Sequence, residues 1–281
     1  MSETIKMSDS DCYIIEKPTT LEEHVLNAGA HQAAKNLKTA IYWYTEALKL
    51  APNMSELYVA RGLCRFNTGN VNSALEDLNT ATKLDPENAV AYHIRGFILQ
   101  TQGYHEEAID NFATSLTIDP HKASTYKHRA ISYDHKKDYT AAIADLTKYL
   151  DGVPDDKAMI LKRGLLYELI GAMEEARADF KTLVELYPVS PHGCIGRAIL
   201  GNNSKDIDIE TNLLKAVECD PSFVEAYYLL GMHYLVQKNP EGMKYIEKAR
   251  ELGIEITDEE YRMFQSFASL CKQKARDIHC E

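Results

Sequence analysis

Residues 55–88 read SELYVARGLCRFNTGNVNSALEDLNTATKLDPEN, and residues 89–122 read AVAYHIRGFILQTQGYHEEAIDNFATSLTIDPHK. Laid over each other without a gap, the two stretches share Tyr58 with Tyr92, Arg61 with Arg95, Gly62 with Gly96, Ala74 with Ala108 and Pro86 with Pro120. The same step of 34 residues runs outward in both directions. It carries Pro52, Pro86, Pro120, Pro154 and Pro188, the arginines 61, 95, 129, 163 and 197, and the alanines 40, 74, 108, 142 and 176. Pro221 follows Pro188 by 33, so a sixth window is one residue short. The windows are 21–54, 55–88, 89–122, 123–156, 157–190, a degenerate 191–223, and 224–255, which lacks the closing proline.

Inside a window the period is helical. In 55–88, Tyr58, Gly62, Leu63 and Phe66 recur at steps of three and four, Thr68-Gly69-Asn70 interrupts them, and Ala74, Leu75, Leu78 and Ala81 resume the pattern up to Asp85-Pro86. Each window is therefore predicted to be one helical hairpin. Proline ends it because the ring cannot continue a helix and biases the preceding residue away from helical angles. The Gly and Ala columns allow the two helices close approach, with the Tyr and Leu/Phe columns filling the space beside them.

A 34-residue helix-turn-helix unit with an aromatic, then Gly, Ala, Leu/Phe and Pro in this order resembles the tetratricopeptide repeat family. The resemblance covers residues 21–255, with Tyr where the family usually has Trp; Trp43, the sole Trp, lies instead in a second helix. It implies an all-α fold: an α-solenoid, a right-handed superhelix of about seven hairpins whose first helices line a concave face. Residues 1–20 are read as a disordered tail. Residues 256–281 are read as a C-terminal capping helix, with Tyr261, Phe264, Ala268 and Cys271 on one face, because a solenoid otherwise exposes its last stacking surface. Thr20-Leu21-Glu22-Glu23 and Thr257-Asp258-Glu259-Glu260 both fit the capping-box pattern that opens a helix. Two helices per window and the cap give an expectation of fifteen.

The chain has 281 residues and a net charge of −11. An acidic balance argues against phosphate backbones and anionic lipid, so nucleic acid is not an expected partner. No uncharged run approaches the roughly 18–20 residues a membrane span requires, and the polar N-terminus does not resemble a signal peptide. Cys12, Cys64, Cys194, Cys219, Cys271 and Cys280 form neither a zinc pattern nor a disulfide framework, which suits a reducing, cytoplasmic setting.

Motifs for phosphate loops, metalloprotease helices, nucleophile elbows and EF-hands are all lacking. Hence no cofactor, metal or catalysis is expected. His128 and His135 lie seven apart on one predicted helix, about 10.5 Å along its axis, too far to share an ion. The arginine column allows two readings, a basic ladder for an acidic ligand or internal ion pairs. Asp77, Asp145 and Asp179, with Asn111 in the fourth place, stand sixteen residues after an arginine and favour internal pairing.

If the family geometry holds, the groove is lined from the second, fifth, sixth, ninth, twelfth and thirteenth residues of each window. That selects an apolar set, Val59, Leu63, Phe66, Ile94 and Phe97, beside a cationic one, His93, Lys127, His128, His135 and Lys162, around Ile131 and Leu165. The expected partner is a protein or peptide segment of acidic and aliphatic character, and protonation of the histidines should strengthen its binding as pH falls. Co-chaperones of this family grip a C-terminal carboxylate with Lys, Asn and Arg, but the corresponding positions here hold Val25, Gly29, Ala60, Val90 and Ile94. The reading is a non-catalytic interaction adaptor, with a self-assembling structural protein and, more weakly, a co-chaperone as alternatives.

Overall fold

The computed structural model describes residues 4–7, 13–15, 18–201 and 208–278, with side chains for 18–201 and 208–269. It contains the fifteen helices the period predicts. The chain divides near the close of the fourth window, between its second helix and the helix that follows, into two compact units, Met1–Val153 and Pro154–Glu281.

The first unit holds four hairpins. They are α1 (Leu21–Ala33) with α2 (Leu37–Leu50), α3 (Ser55–Asn67) with α4 (Val71–Leu84), α5 (Ala89–Thr101) with α6 (His105–Ile118), and α7 (Ala123–His135) with α8 (Tyr139–Gly152). Each packs on the next through α2 on α3, α4 on α5 and α6 on α7. The second unit repeats the scheme with α9 (Lys157–Leu169), α10 (Met173–Leu186), α11 (Pro191–Leu200), α12 (Ile209–Cys219), α13 (Val224–Val236), α14 (Gly242–Glu251) and α15 (Asp258–Ile278). Every unit is thus a stack of hairpins of the α-solenoid kind.

Among the described residues, the turns inside six of the hairpins use one device. Lys35, Gly69, Gly103, Lys137, Gly171 and Lys238 all have positive φ, between 59° and 84°. The next residue's N–H reaches back over the end of the first helix, as Asn70 N to Arg65 O at 2.9 Å and Asp138 N to Tyr133 O at 2.9 Å. This left-handed closure satisfies carbonyls that the helix end leaves unpaired. Glycine takes that conformation without strain, and lysine does not.

The arginine column is internal. Arg129 donates to both carboxylate oxygens of Asp145 at 2.7 and 2.8 Å, and Arg163 does the same to Asp179 at 2.9 and 2.7 Å. Arg61 grips Asp77 at 3.0 and 2.7 Å, with Arg65 adding a contact at 2.9 Å. Where the neutral amide of Asn111 replaces the carboxylate, Arg95 donates to its Oδ1 at 2.6 Å and spreads to Asn79 and Thr82. Asp77, Asp145 and Asp179 are buried. A buried pair of this kind sets the register between the two helices of a hairpin more than it adds stability, since desolvation offsets the attraction. The tyrosine column belongs to the same device. Tyr58, Tyr92 and Tyr126 lie under the guanidinium of their own window's arginine, at 5.2–5.7 Å, and Tyr58 and Tyr126 donate to the carbonyls of Pro52 and Pro120.

The small column also does what the repeat implies. A Cβ on Gly96 would meet the Phe112 ring at 2.8 Å, and one on Gly164 the Phe180 ring at 2.8 Å. Gly231 continues it, 2.7 Å from Ile246. In the sixth window Gly193 and Gly196 look from sequence like slack in a helix, yet the structure shows close contacts. Their Cβ positions fall 2.0 Å from the Tyr187 carbonyl oxygen and 2.9 Å from that of Phe180. The insertion Asn202-Asn203-Ser204-Lys205-Asp206 lies outside the described residues.

Two expectations about the ends meet different outcomes. In the stretch read as a disordered tail, β1 (Thr4–Met7) pairs antiparallel with β2 (Tyr13–Ile15), and β2 lies against α1. Tyr13, Ile14 and Ile15 are β-favouring residues that lie outside the 34-residue period. At the other end α15 caps the stack. Ala268 is buried with Leu235, Met243 and Ile246, and Tyr261 and Phe264 pack against them. Cys271 is outside the described side chains. Both capping boxes form: Thr20 Oγ1 accepts from Glu23 N and Thr257 Oγ1 from Glu260 N, each at 3.2 Å, with the glutamates reaching back to the threonine N–H groups.

Candidate functional site

In the first unit, the first helices α3, α5 and α7 carry an unbroken file of rings. Phe66 meets Phe97 edge to face at 5.8 Å between centroids, and Phe97 meets His128 at 5.0 Å, again edge to face. His93 sits 5.6 Å from His128, and both lie against the fully buried Phe112 ring. Phe66, Phe97 and His128 are the twelfth, ninth and sixth residues of their windows, so the file steps back three residues, about one helical turn, from each first helix to the next. Leu63, Ile94 and Ile131 are half-buried in the same helices.

Val59 departs from the expectation. Only 8% of it is exposed, and it belongs to a core with Leu78, Ala91 and Ile98, so it packs one hairpin on the next and is not available to a ligand. Ile94 and Phe66 border that same core but keep partial exposure.

The histidines depart from it too. His93 bonds Thr125 Oγ1 at 2.8 Å, and burial lowers its pKa to about 4, aided by Lys122 and His128. His128 is also lowered, first by burial and then by Lys127. His93 is therefore an uncharged polar group near neutral pH and gains no charge between pH 7.5 and 6, and burial holds His128 toward its neutral form, so the pair does not make the expected cationic patch. His135 lies at the exposed end of α7, stacked on His105 at 4.2 Å. Lys127 holds its ammonium over the Tyr149 ring at 5.2 Å. Lys162 and Leu165, both half-buried, belong to α9 in the second unit.

Gln100 completes the arrangement and was not selected from sequence. Its amide donates to His128 O at 2.6 Å and to Ser132 Oγ at 2.8 Å, and its Oε1 faces His128 Nδ1 at 3.2 Å. As the twelfth residue of its window, Gln100 satisfies the same positional rule that selects Phe66. The assembled surface offers apolar ring edges with neutral hydrogen-bonding groups between them. It holds no activated nucleophile: Cys64 is buried, and burial raises its thiol to about 11. Among the described residues no group of three or more His, Cys, Asp or Glu could hold a metal ion, and no helix is long and apolar enough to cross a membrane.

Sequence profiles of the tetratricopeptide repeat match residues 55–88, 89–122 and 129–191. Among solved structures, a tetratricopeptide repeat protein from Parabacteroides merdae shares 19% identity at a TM-score of 0.67, over 89% of this chain and 98% of that one. MamA is similar at 26% identity and a TM-score of 0.52, over 56% of this chain and 92% of its own. YrrB, described as a TPR protein with an unusual peptide-binding site, matches at 16% identity and a TM-score of 0.50, over 82% and 97%. No curated protein matches the chain. With the period, the hairpin geometry and these profiles in agreement, the chain is a member of the tetratricopeptide repeat family, a fold of the protein-interaction kind.

Proposed function

We propose that this chain is a non-catalytic adaptor that holds an extended or helical segment of a partner protein against the first helices of its repeats. The observation that carries the reading is the file Phe66, Phe97 and His128. Three half-buried rings on the first helices of three successive windows form a surface that the hairpins' own packing does not use up. Aromatic groups of this sort supply most of the contact energy in peptide grooves. Leu63, Ile94 and Ile131 extend the apolar surface for aliphatic side chains. Lys127 gives the acidic preference. His93, His128 and Gln100 read backbone amides as neutral donors and acceptors. His135 marks the margin of the file.

Affinity capture followed by calorimetry on the recovered partner segment tests this. Phe97→Ala should weaken binding by about tenfold or more, as loss of a central aromatic anchor does. Lys127→Glu should weaken it further at low salt than at high salt. Thermal melts of both variants must stay cooperative, so that lost binding is not lost folding. A partner whose affinity ignores both changes would place the interaction elsewhere on the chain.

A further inference from the structure

The second unit contains a cavity of about 220 Å³ whose chemistry differs from that of the ring file. Ile199 of α11, Leu213 of α12 and Leu229, Met232 and Val236 of α13 make its apolar wall, with His233 at its edge. Glu168, near the end of α9, is the carboxylate in that wall, and it also lines an adjoining cavity of about 230 Å³ with Met173, Arg177, Ile199 and Leu200, where Arg177 makes no ion pair with it. No ion pair or hydrogen bond engages the Glu168 side chain among the described residues, and burial alone raises its pKa. A half-buried carboxylate in apolar surroundings is stabilised by a cation brought to it.

The rim has a second peculiarity. In the second to fourth windows the hairpin turn is polar, as in Thr68-Gly69-Asn70 or Lys136-Lys137-Asp138. In the fifth it reads Leu169-Ile170-Gly171-Ala172-Met173, and Leu169, Ile170 and Met173 are 60%, 45% and 49% exposed. Val236, on the cavity wall, is 75% exposed. Met173 lines the adjoining cavity and Leu169 and Ile170 follow Glu168 directly in the chain, and exposed apolar residues next to a cavity mark an interaction surface.

We infer that the cavity around Glu168 is a docking site for one basic side chain, lysine or arginine, of a partner peptide whose flanking aliphatic residues rest on the Leu169–Met173 rim. At about 220 Å³ the cavity is below the roughly 300–1,000 Å³ of sites that enclose a whole ligand, which suits a single side chain. The aliphatic stem lies along Ile199, Leu213 and Met232, and the charged head reaches the Glu168 carboxylate. The site is independent of the ring file in the first unit and has the opposite charge preference.

The test uses the full chain and a fluorescein-labelled, C-terminally amidated peptide, Leu-Leu-Lys-Leu-Leu, read by anisotropy, with its Lys→Glu version as control. The lysine peptide should bind and the glutamate peptide should not. Glu168→Gln, which keeps shape, should weaken binding about tenfold, the scale of one charge-assisted bond. Glu87→Gln, the same charge change on an exposed residue of the first unit, should leave it unchanged. Methyl NMR on labelled methionine should show Met232 shifting. Equal losses in both variants would reduce the effect to the net charge of −11, and no binding, or an unshifted Met232, would remove the site.

Discussion

The fourth window and the sixth are built on one plan and held by different chemistry. In the fourth, α7 and α8 are 13 and 14 residues long, and Arg129 grips a buried carboxylate, Asp145, through two bonds. In the sixth, α11 and α12 are 10 and 11 residues long. Arg197 there faces a neutral amide, Asn212, at 3.4 Å, and turns its other nitrogen to the Pro188 carbonyl and the Cys194 sulfur. The lost residue shifts the partner from sixteen positions away to fifteen. A repeat can thus shed its charge pair when close backbone contact takes over, and here Gly193 and Gly196 let α11 sit against the carbonyls of α10. One window is registered by charge, the other by steric fit.

The largest expected effect exposes that difference directly. Arg129→Ala should cost about 3–5 kcal/mol in denaturant unfolding, because Asp145 is left buried and unpaired, and Arg129→Leu with Asp145→Leu should recover much of it. Arg197→Ala should cost only about 1 kcal/mol, the net value of neutral hydrogen bonds. Equal costs would mean that the charge pair does not distinguish the two windows.

Gly193→Ala comes next, at about 1–3 kcal/mol, since the new methyl group meets backbone that cannot rotate away. Hydrogen exchange should show the loss in α10 and α11 before the first unit, and a neutral substitution would overturn the steric reading.

A smaller effect is shared by both units. His93 in the first and His192 in the second each have a pKa lowered to about 4, chiefly by burial. Between about pH 6.5 and 4 the unfolded chain binds a proton that the folded chain refuses, so stability is full above pH 6.5 and declines as pH falls through that window. Each histidine should contribute on the order of 1–2 kcal/mol to the decline. His192→Gln should flatten the pH dependence of exchange in the second unit alone, and His93→Gln that of the first. The smallest change should be a gain: Lys137→Gly, at φ 61°, should stabilise α7–α8 by about 0.5–1 kcal/mol, whereas Gly103→Lys should destabilise α5–α6 by a similar amount. Melting temperatures of the two variants, moving in opposite directions, check it.

Much of this architecture was legible because a repeat contacts its neighbours and little else. Tyr58, Arg61, Gly62, Ala74 and Pro86 each recur at one spacing, so their partners recur too, and even the Arg–Asp pairing could be read from a separation of sixteen. The left-handed turn column is not legible in the sequence because it is filled by Gly in some windows and Lys in others, and only backbone angles reveal what they share. The β1–β2 hairpin escaped because it lies outside the period. In the candidate site, the ring file was legible as positions, but Gln100 was passed over in favour of charged and apolar types.

What the chain's residues determined alone is the hairpin, its length, its turn and its register, since these arise from interactions within one window or between adjacent ones. Only the tertiary structure decided that Val59 is core, that burial holds His93 and His128 toward their neutral forms, and that Glu168 is half-buried without an ion pair. Burial and protonation depend on what three or four helices together leave open to water. Neither a position in a window nor the type of residue there carries that information, because the desolvation of a group is a property of everything packed around it.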